Sequence, residues 1–170
     1  MATMTEAFIP DFVKPFLGRI AFDYGAAKGR SCLDWARRSH PDVSWDGLVL
    51  VMLYAEALHL GSYGRPITGA VYRFEGDVAI SSDLVSSIIV RPNPFVDENG
   101  LPDDMSVSDA EAIEEACRDL REKGLEGLQR RAQAWRHGDV ADYALMVDPT
   151  RAGAEELLSD FAYFGLHLVF

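Results

Sequence analysis

Four histidines, two cysteines and a surplus of carboxylates are the residues of this chain that could hold a metal or run acid–base chemistry. Their spacing argues against both. His40, His59, His137 and His167 never fall four residues apart, and Cys32 and Cys117 do not form a Cys-x-x-Cys pair, so no zinc site is expected. No glycine-rich phosphate loop, dinucleotide fingerprint or Gly-x-Ser-x-Gly elbow occurs. Asp103, Asp104, Asp139 and Asp142 lie in polar, loop-like stretches. A catalytic carboxylate pair needs a buried cleft to split its two pKa values, so these four are read as solvated. His59 ends an apolar helix and is read as a half-buried, satisfied histidine rather than a general base. Neither catalysis nor a cofactor is expected. The expected function is binding to another protein, with the run from His59 to Gly69 as its centre.

That run must be positioned by the elements around it. From Trp45 to Leu60 nearly every face is apolar, including Leu48, Val49, Leu50, Val51, Met52 and Leu53. Such a segment is a buried central helix. Ser44 is its expected N-cap and Gly61 its expected stop. A shorter helix, Ser31 to Arg38, precedes it and ends before Pro41. Gly64-Arg65-Pro66 turns the chain into an extended piece, Ile67 to Phe74. Glu75-Gly76 turns it again, and Val78-Ala79-Ile80 returns as a partner strand, which makes a small hairpin. Ser82 is expected to cap a helix to about Ile89. A proline-rich loop follows from Arg91 to Pro102. Ser108-Asp109-Ala110-Glu111 reads as a capping box for a helix to Lys123, closed by Gly124. A further helix spans Leu125 to about Trp135, and the last one Ala154 to Phe164. The expected fold is mainly α, a single compact helical domain around a buried central helix, with a small β-hairpin after it. Residues 1–26 form an N-terminal extension packed on the domain of residues 27–170, since Phe8, Phe12, Phe16 and Phe22 make it too apolar for a free tail.

The bulk numbers limit the partners. At 170 residues, 48% of them hydrophobic, the chain can bury a core without disulfides. Sixteen basic residues against 27 acidic ones leave a net charge of −11. That charge repels phosphate backbones, so no direct nucleic-acid partner is expected. It suits solubility, or a basic protein partner. No stretch has the length and apolarity of a membrane span, and the first residues lack the features of a signal peptide. Two distant cysteines fit a reducing compartment, so the expected location is cytoplasmic, with no membrane partner.

Within the binding run the residues become specific. Leu53-Tyr54-Ala55-Glu56-Ala57-Leu58-His59-Leu60-Gly61-Ser62-Tyr63-Gly64-Arg65-Pro66-Ile67-Thr68-Gly69 resembles the signature of the Panacea antitoxin domain, the domain of SocA-like antitoxins found in bacteria and their phages. The family pattern is close to Y-F-A-D-x-x-H-L-x-x-Y-G-R-P-I-T-G, then an aromatic-bearing strand and a G-P-V-P turn. Tyr72 fits the strand position. Gly76-Asp77-Val78-Ala79 fits the turn without its prolines, Leu50 stands where a lysine is frequent, and Leu53 takes a tyrosine position with Tyr54 beside it. The resemblance covers about residues 28 to 136.

The resemblance implies an antitoxin of a toxin–antitoxin system, neutralising a cognate toxin by direct contact. His59, Tyr63, Arg65, Thr68, Tyr72, Glu75 and Asp77 are the candidate partner-binding residues. Tyr63 and Arg65 are types favoured at interface hot spots. The plain structural alternative is that the turn only redirects the chain, with Arg65 pairing an internal carboxylate such as Glu56. A second functional reading is a proteolytic adaptor that delivers a bound protein to an ATP-dependent protease, with the apolar tail Leu166–Phe170 as its docking segment. An aromatic-rich N-terminal arm would also permit a homodimer.

Overall fold

The computed structural model describes residues 9–168, with side-chain surroundings through residue 162. The fold class is the expected one: mainly helical, around one buried helix, with a hairpin directly after it. Helix α1, Ala26–Ser39, begins five residues before the predicted Ser31, because Ala26, Ala27 and Lys28 are good helix formers that follow Gly25. Helix α2, Trp45–Tyr63, starts where predicted, with the Ser44 hydroxyl accepting the Gly47 amide at 3.1 Å. It does not stop at Gly61. It continues to Tyr63, and Gly64 closes it at φ 74, a left-handed geometry that glycine adopts without strain. Leu50, Val51, Met52, Leu53, Ala55, Glu56, His59 and Leu60 are buried along it.

Strands β1, Arg73–Glu75, and β2, Val78–Ile80, form the predicted hairpin, with Gly76 at φ 60 in its turn. The register pairs Arg73 with Ile80, Phe74 with Ala79 and Glu75 with Val78. Helix α3 covers Ser82–Ser87, and its cap is Ser81 rather than Ser82: the Ser81 hydroxyl accepts the Leu84 amide at 3.3 Å. Helix α4 covers Val107–Ala132 and breaks at Gly124, whose φ 71 and ψ 171 are non-helical. The predicted break therefore stands, while the predicted cap moves. Ser106 and Asp109 form the capping box instead of Ser108 and Glu111. The pattern Ser-x-x-acid occurs twice in this stretch, and tertiary partners of Asp109 select the earlier frame.

Two further strands were not foreseen. β3, Arg136–His137, and β4, Val140–Ala141, give a four-stranded antiparallel sheet in the order β2-β1-β4-β3. Arg136 ties the two hairpin tips, donating to the carbonyls of Gly76 at 2.7 Å and Gly138 at 2.8 Å. Helix α5, Ala154–Leu168, runs past the predicted Phe164 and absorbs the first part of the apolar tail. Val169 and Phe170, like Met1 to Phe8, lie outside the described residues.

Helix α4 packs along α2 in the most extensive helix–helix contact, and Ile113, Ala116, Cys117 and Leu128 enter the core from it. The N-terminal segment crosses the body of the protein. Val13 and Ile20 are buried, and the Phe22 ring meets Tyr143 and Phe161 edge-on at 5.0 and 5.1 Å. Both cysteines are buried free thiols. Among the described residues no helix is long and apolar enough to cross a membrane.

Candidate functional site

Glu56 and His59 lie three residues apart and therefore on one face of α2. Both are fully buried, and both reach into the loop that follows the helix. The Glu56 carboxylate accepts the amide of Ile67 at 2.6 Å, the amide of Thr68 at 3.1 Å, and the Thr68 hydroxyl. That hydroxyl also receives the amide of Ala70 at 3.2 Å. One carboxylate thus satisfies the polar backbone of a tight buried loop, which would otherwise be unpaired. Burial pushes the Glu56 carboxyl up to about 7, and the bonds from Thr68 and Ile67 hold it from going higher.

The internal carboxylate that Arg65 approaches is Asp109 and not Glu56. The Arg65 side chain is half exposed and turns toward Asp109, 4.0 Å from Oδ1. The Arg65 backbone is what the core holds: its carbonyl lies 2.7 Å from Nδ1 of His59. A carbonyl can only accept, so Nδ1 carries the proton. Nε2 is then free to accept the Ser108 hydroxyl at 3.0 Å. Burial lowers the His59 pKa below its ordinary value, with the Arg65 carbonyl and the Asp109 charge acting against that shift. The ring is neutral at neutral pH.

Asp109 closes the network from α4. Its Oδ2 accepts the Ser106 amide at 2.8 Å and meets the Lys28 ammonium from α1 at 2.9 Å. Its Oδ1 lies 3.3 Å from Nε2 of His59 and has no hydrogen-bond donor. Burial pushes the Asp109 carboxyl upward, but the Ser106 amide and Lys28 outweigh it and leave it below the usual range. Lys28 therefore ties α1 to Asp109, and His59 ties α2 to the neighbouring Ser108, both at the start of α4.

Two other contacts fix the turn. Arg151, just before α5, donates to the carbonyls of Gly61 at 3.0 Å and Leu60 at 3.4 Å, so a cation sits at the C-terminal end of α2. The N-terminal segment lies over the loop, with the Gly25 amide bonded to the Thr68 carbonyl at 3.0 Å. A Cβ on Gly69 would stand 2.7 Å from the Asp23 carbonyl oxygen, so this crossing requires glycine.

The seven candidate residues divide sharply. His59, Thr68 and Tyr72 are buried, and the Tyr72 hydroxyl finds no partner among the described residues. They build the scaffold. Tyr63 and Arg65 are exposed at the end of α2, with the Tyr63 ring lying 4.7 Å from the His59 ring. Glu75 and Asp77 are exposed at the hairpin tip, apart from that pair in the chain. Of the four carboxylates read as solvated, Asp103 and Asp139 are exposed. Asp104 and Asp142 are not. Asp104 Oδ2 accepts the Ser31 hydroxyl at 3.0 Å, and buried Asp142 accepts the amides of Gly18 at 2.7 Å and Ala144 at 3.0 Å. Sequence reasoning passed over Lys28 and Arg151, which carry no local signal, and read Ser108 and Asp109 only as part of a capping box.

Among the described residues no group of three or more histidine, cysteine or carboxylate side chains is arranged to hold a metal ion. Compared with models of known protein families, with curated proteins and with solved structures, the chain matches none.

Proposed function

We propose that this chain is an antitoxin, which neutralises a cognate toxin protein by direct contact, as its helix–turn–strand motif suggests by resemblance. One observation carries the reading. The residues of the motif form one physical unit, in which Glu56 and His59 clamp the backbone of Arg65, Ile67 and Thr68 and leave Tyr63 and Arg65 facing outward. A catalytic use of His59 is disfavoured on the same geometry. The ring is sealed in the core, with Nδ1 committed to a backbone carbonyl and Nε2 to Ser108. A general base must reach the proton that it abstracts. A rigid turn presenting an exposed tyrosine and arginine serves recognition better. The reading carries with it a cytoplasmic location and a protein partner.

The test is co-expression with the product of the neighbouring gene. The neighbour alone should arrest growth, this chain should relieve the arrest, and the two should co-purify. A neighbour that is harmless alone, or stays toxic beside this chain, defeats the proposal.

A further inference from the structure

Among the described residues, six of the nine exposed large apolar side chains lie between Val85 and Val107. Val85, Ile88, Ile89, Phe95, Val96 and Val107 are 52%, 46%, 89%, 67%, 61% and 50% exposed. Scattered exposed apolar residues are ordinary, whereas a gathered set marks an interaction site. Two consecutive residues of α1 gather these. Arg30 donates to the carbonyls of Ile88 and Val90, and Ser31 donates to Asp104 in the segment leading to Val107. The end of α3 and the loop before α4 are therefore anchored beside one another.

The loop is also held in shape. Asn93 bonds Asp103, the Asp103 amide donates to the Phe95 carbonyl at 3.1 Å, and Val96 bridges Pro102. The Asp97 carboxylate accepts the amides of Asn99 at 2.8 Å and Leu101 at 3.0 Å. The apolar groups stand on a fixed frame, so little ordering entropy opposes docking.

Charge identifies the occupant. Residues 83–111 contain one cation, Arg91, and seven carboxylates, of which Asp109 is buried against Lys28 and Asp83, Asp97 and Asp104 are partly buried, while Arg30 of α1 lies against Ile88 and Val90. Glu98, Asp103 and Glu111 of that set are exposed. Apart from the single bridge from Val96 to Pro102 the loop holds no strand to template an added one, so side chains carry the binding. We propose that this face docks an amphipathic basic helix of a partner protein, whose apolar side covers Ile88, Ile89, Phe95 and Val96 while its lysines or arginines meet the acidic rim. The identity of the partner as a toxin rests on the antitoxin reading; the surface does not.

The experiment uses the full chain and two probes. The first is a synthetic amphipathic helix of leucine and lysine, compared with its leucine–glutamate counterpart. Hydrogen exchange should show protection across residues 85–107 with the lysine peptide only, and I89S/F95S should weaken its binding at least tenfold while leaving the melting temperature unchanged. Protection confined to the hairpin at residues 72–77, or binding unaffected by I89S/F95S, overturns the surface, as does a wild-type dimer that I89S/F95S dissociates. The second probe is the neighbouring gene product. If it binds wild type and I89S/F95S equally, the surface is wrong and the antitoxin reading survives. If it does not bind at all while the lysine peptide protects residues 85–107, the antitoxin reading fails and the surface stands.

Discussion

Glu56 and Thr68 meet through both the amide and the hydroxyl of the threonine, in a part of the core from which water is excluded. The charge on Glu56 therefore opposes folding while its hydrogen bonds favour it. A carboxyl that titrates at about 7 instead of 4.5 binds its proton more tightly folded than unfolded. Its contribution to stability is greatest below pH 4.5 and is lost as pH rises toward 7, by about 3 kcal/mol in all. Glu56→Gln keeps one acceptor and removes the titration. The difference in unfolding free energy between wild type and Glu56→Gln, measured by urea denaturation from pH 5 to 8, should shift against wild type as pH rises. A flat difference would show that Glu56 titrates at its ordinary value.

His59 and Asp109 tilt stability the other way. The His59 pKa is lowered, so the folded state resists its protonation and stability falls as pH drops below 6.5. The Asp109 carboxyl lies below its ordinary 3.8, so its contribution is present above that value and is lost as pH falls through the folded one. In a Glu56→Gln background only these acid-side losses remain. Melting temperature should then decline steadily from pH 6.5 toward acid, whereas wild type should show a shallower slope between pH 6.5 and 4.5.

Lys28 and Asp109 form a pair in which the carboxylate is buried and the ammonium is partly exposed. Lys28→Met strands that carboxylate and should cost about 3 kcal/mol. Asp109→Asn weakens both the pair and the cap of α4 and should cost about 2 kcal/mol. Combined, the two should cost less than their sum, with a coupling energy of about 1–2 kcal/mol in a double-mutant cycle. Additivity would mean that the two groups do not interact.

Two glycines eight residues apart should respond oppositely to alanine. Gly61 lies within α2 and a Cβ there would meet nothing within 4 Å, so Gly61→Ala should stabilise by about 0.5–1 kcal/mol. Gly69 has φ 77 and its Cβ would press on the Asp23 carbonyl, so Gly69→Ala should destabilise by about 2–3 kcal/mol. Thermal melts of the two variants decide both signs.

Tyr63→Ala and Arg65→Ala remove exposed side chains and should each change stability by less than about 1 kcal/mol. Under the antitoxin reading they should weaken the complex with the toxin about tenfold or more. Unaltered toxin binding with unaltered folding would remove both residues from the contact surface.

The elements that the sequence revealed are those with dense local signals. The all-round apolarity of α2, the Ser44 cap and the Gly124 break each lie within a few residues of the feature they specify. Strands of two residues, such as Arg136–His137 and Val140–Ala141, are too short to show a period, so the second hairpin was silent. The frame of the α4 cap was ambiguous locally and was decided by Lys28, about 80 positions upstream. The candidate site was legible only as a motif. Its composition suggested a contact surface, but His59, Thr68 and Tyr72 turned out to be interior, His59 and Thr68 because they pair with buried backbone of the loop after α2. The apolar face near Ile89 and Phe95 carried no period that separated it from core.

The guanidinium of Arg151 touches the final carbonyls of α2 from a position just ahead of α5. The last helix is thereby wired to the turn that shows Tyr63. A nick or truncation upstream of residue 151 would release that cation, loosen the closing turn of α2 and reorient Tyr63, though no residue of the motif had been altered. Under the antitoxin reading, damage near residue 151 would then read out as a loss of toxin binding at a turn far from it in the chain.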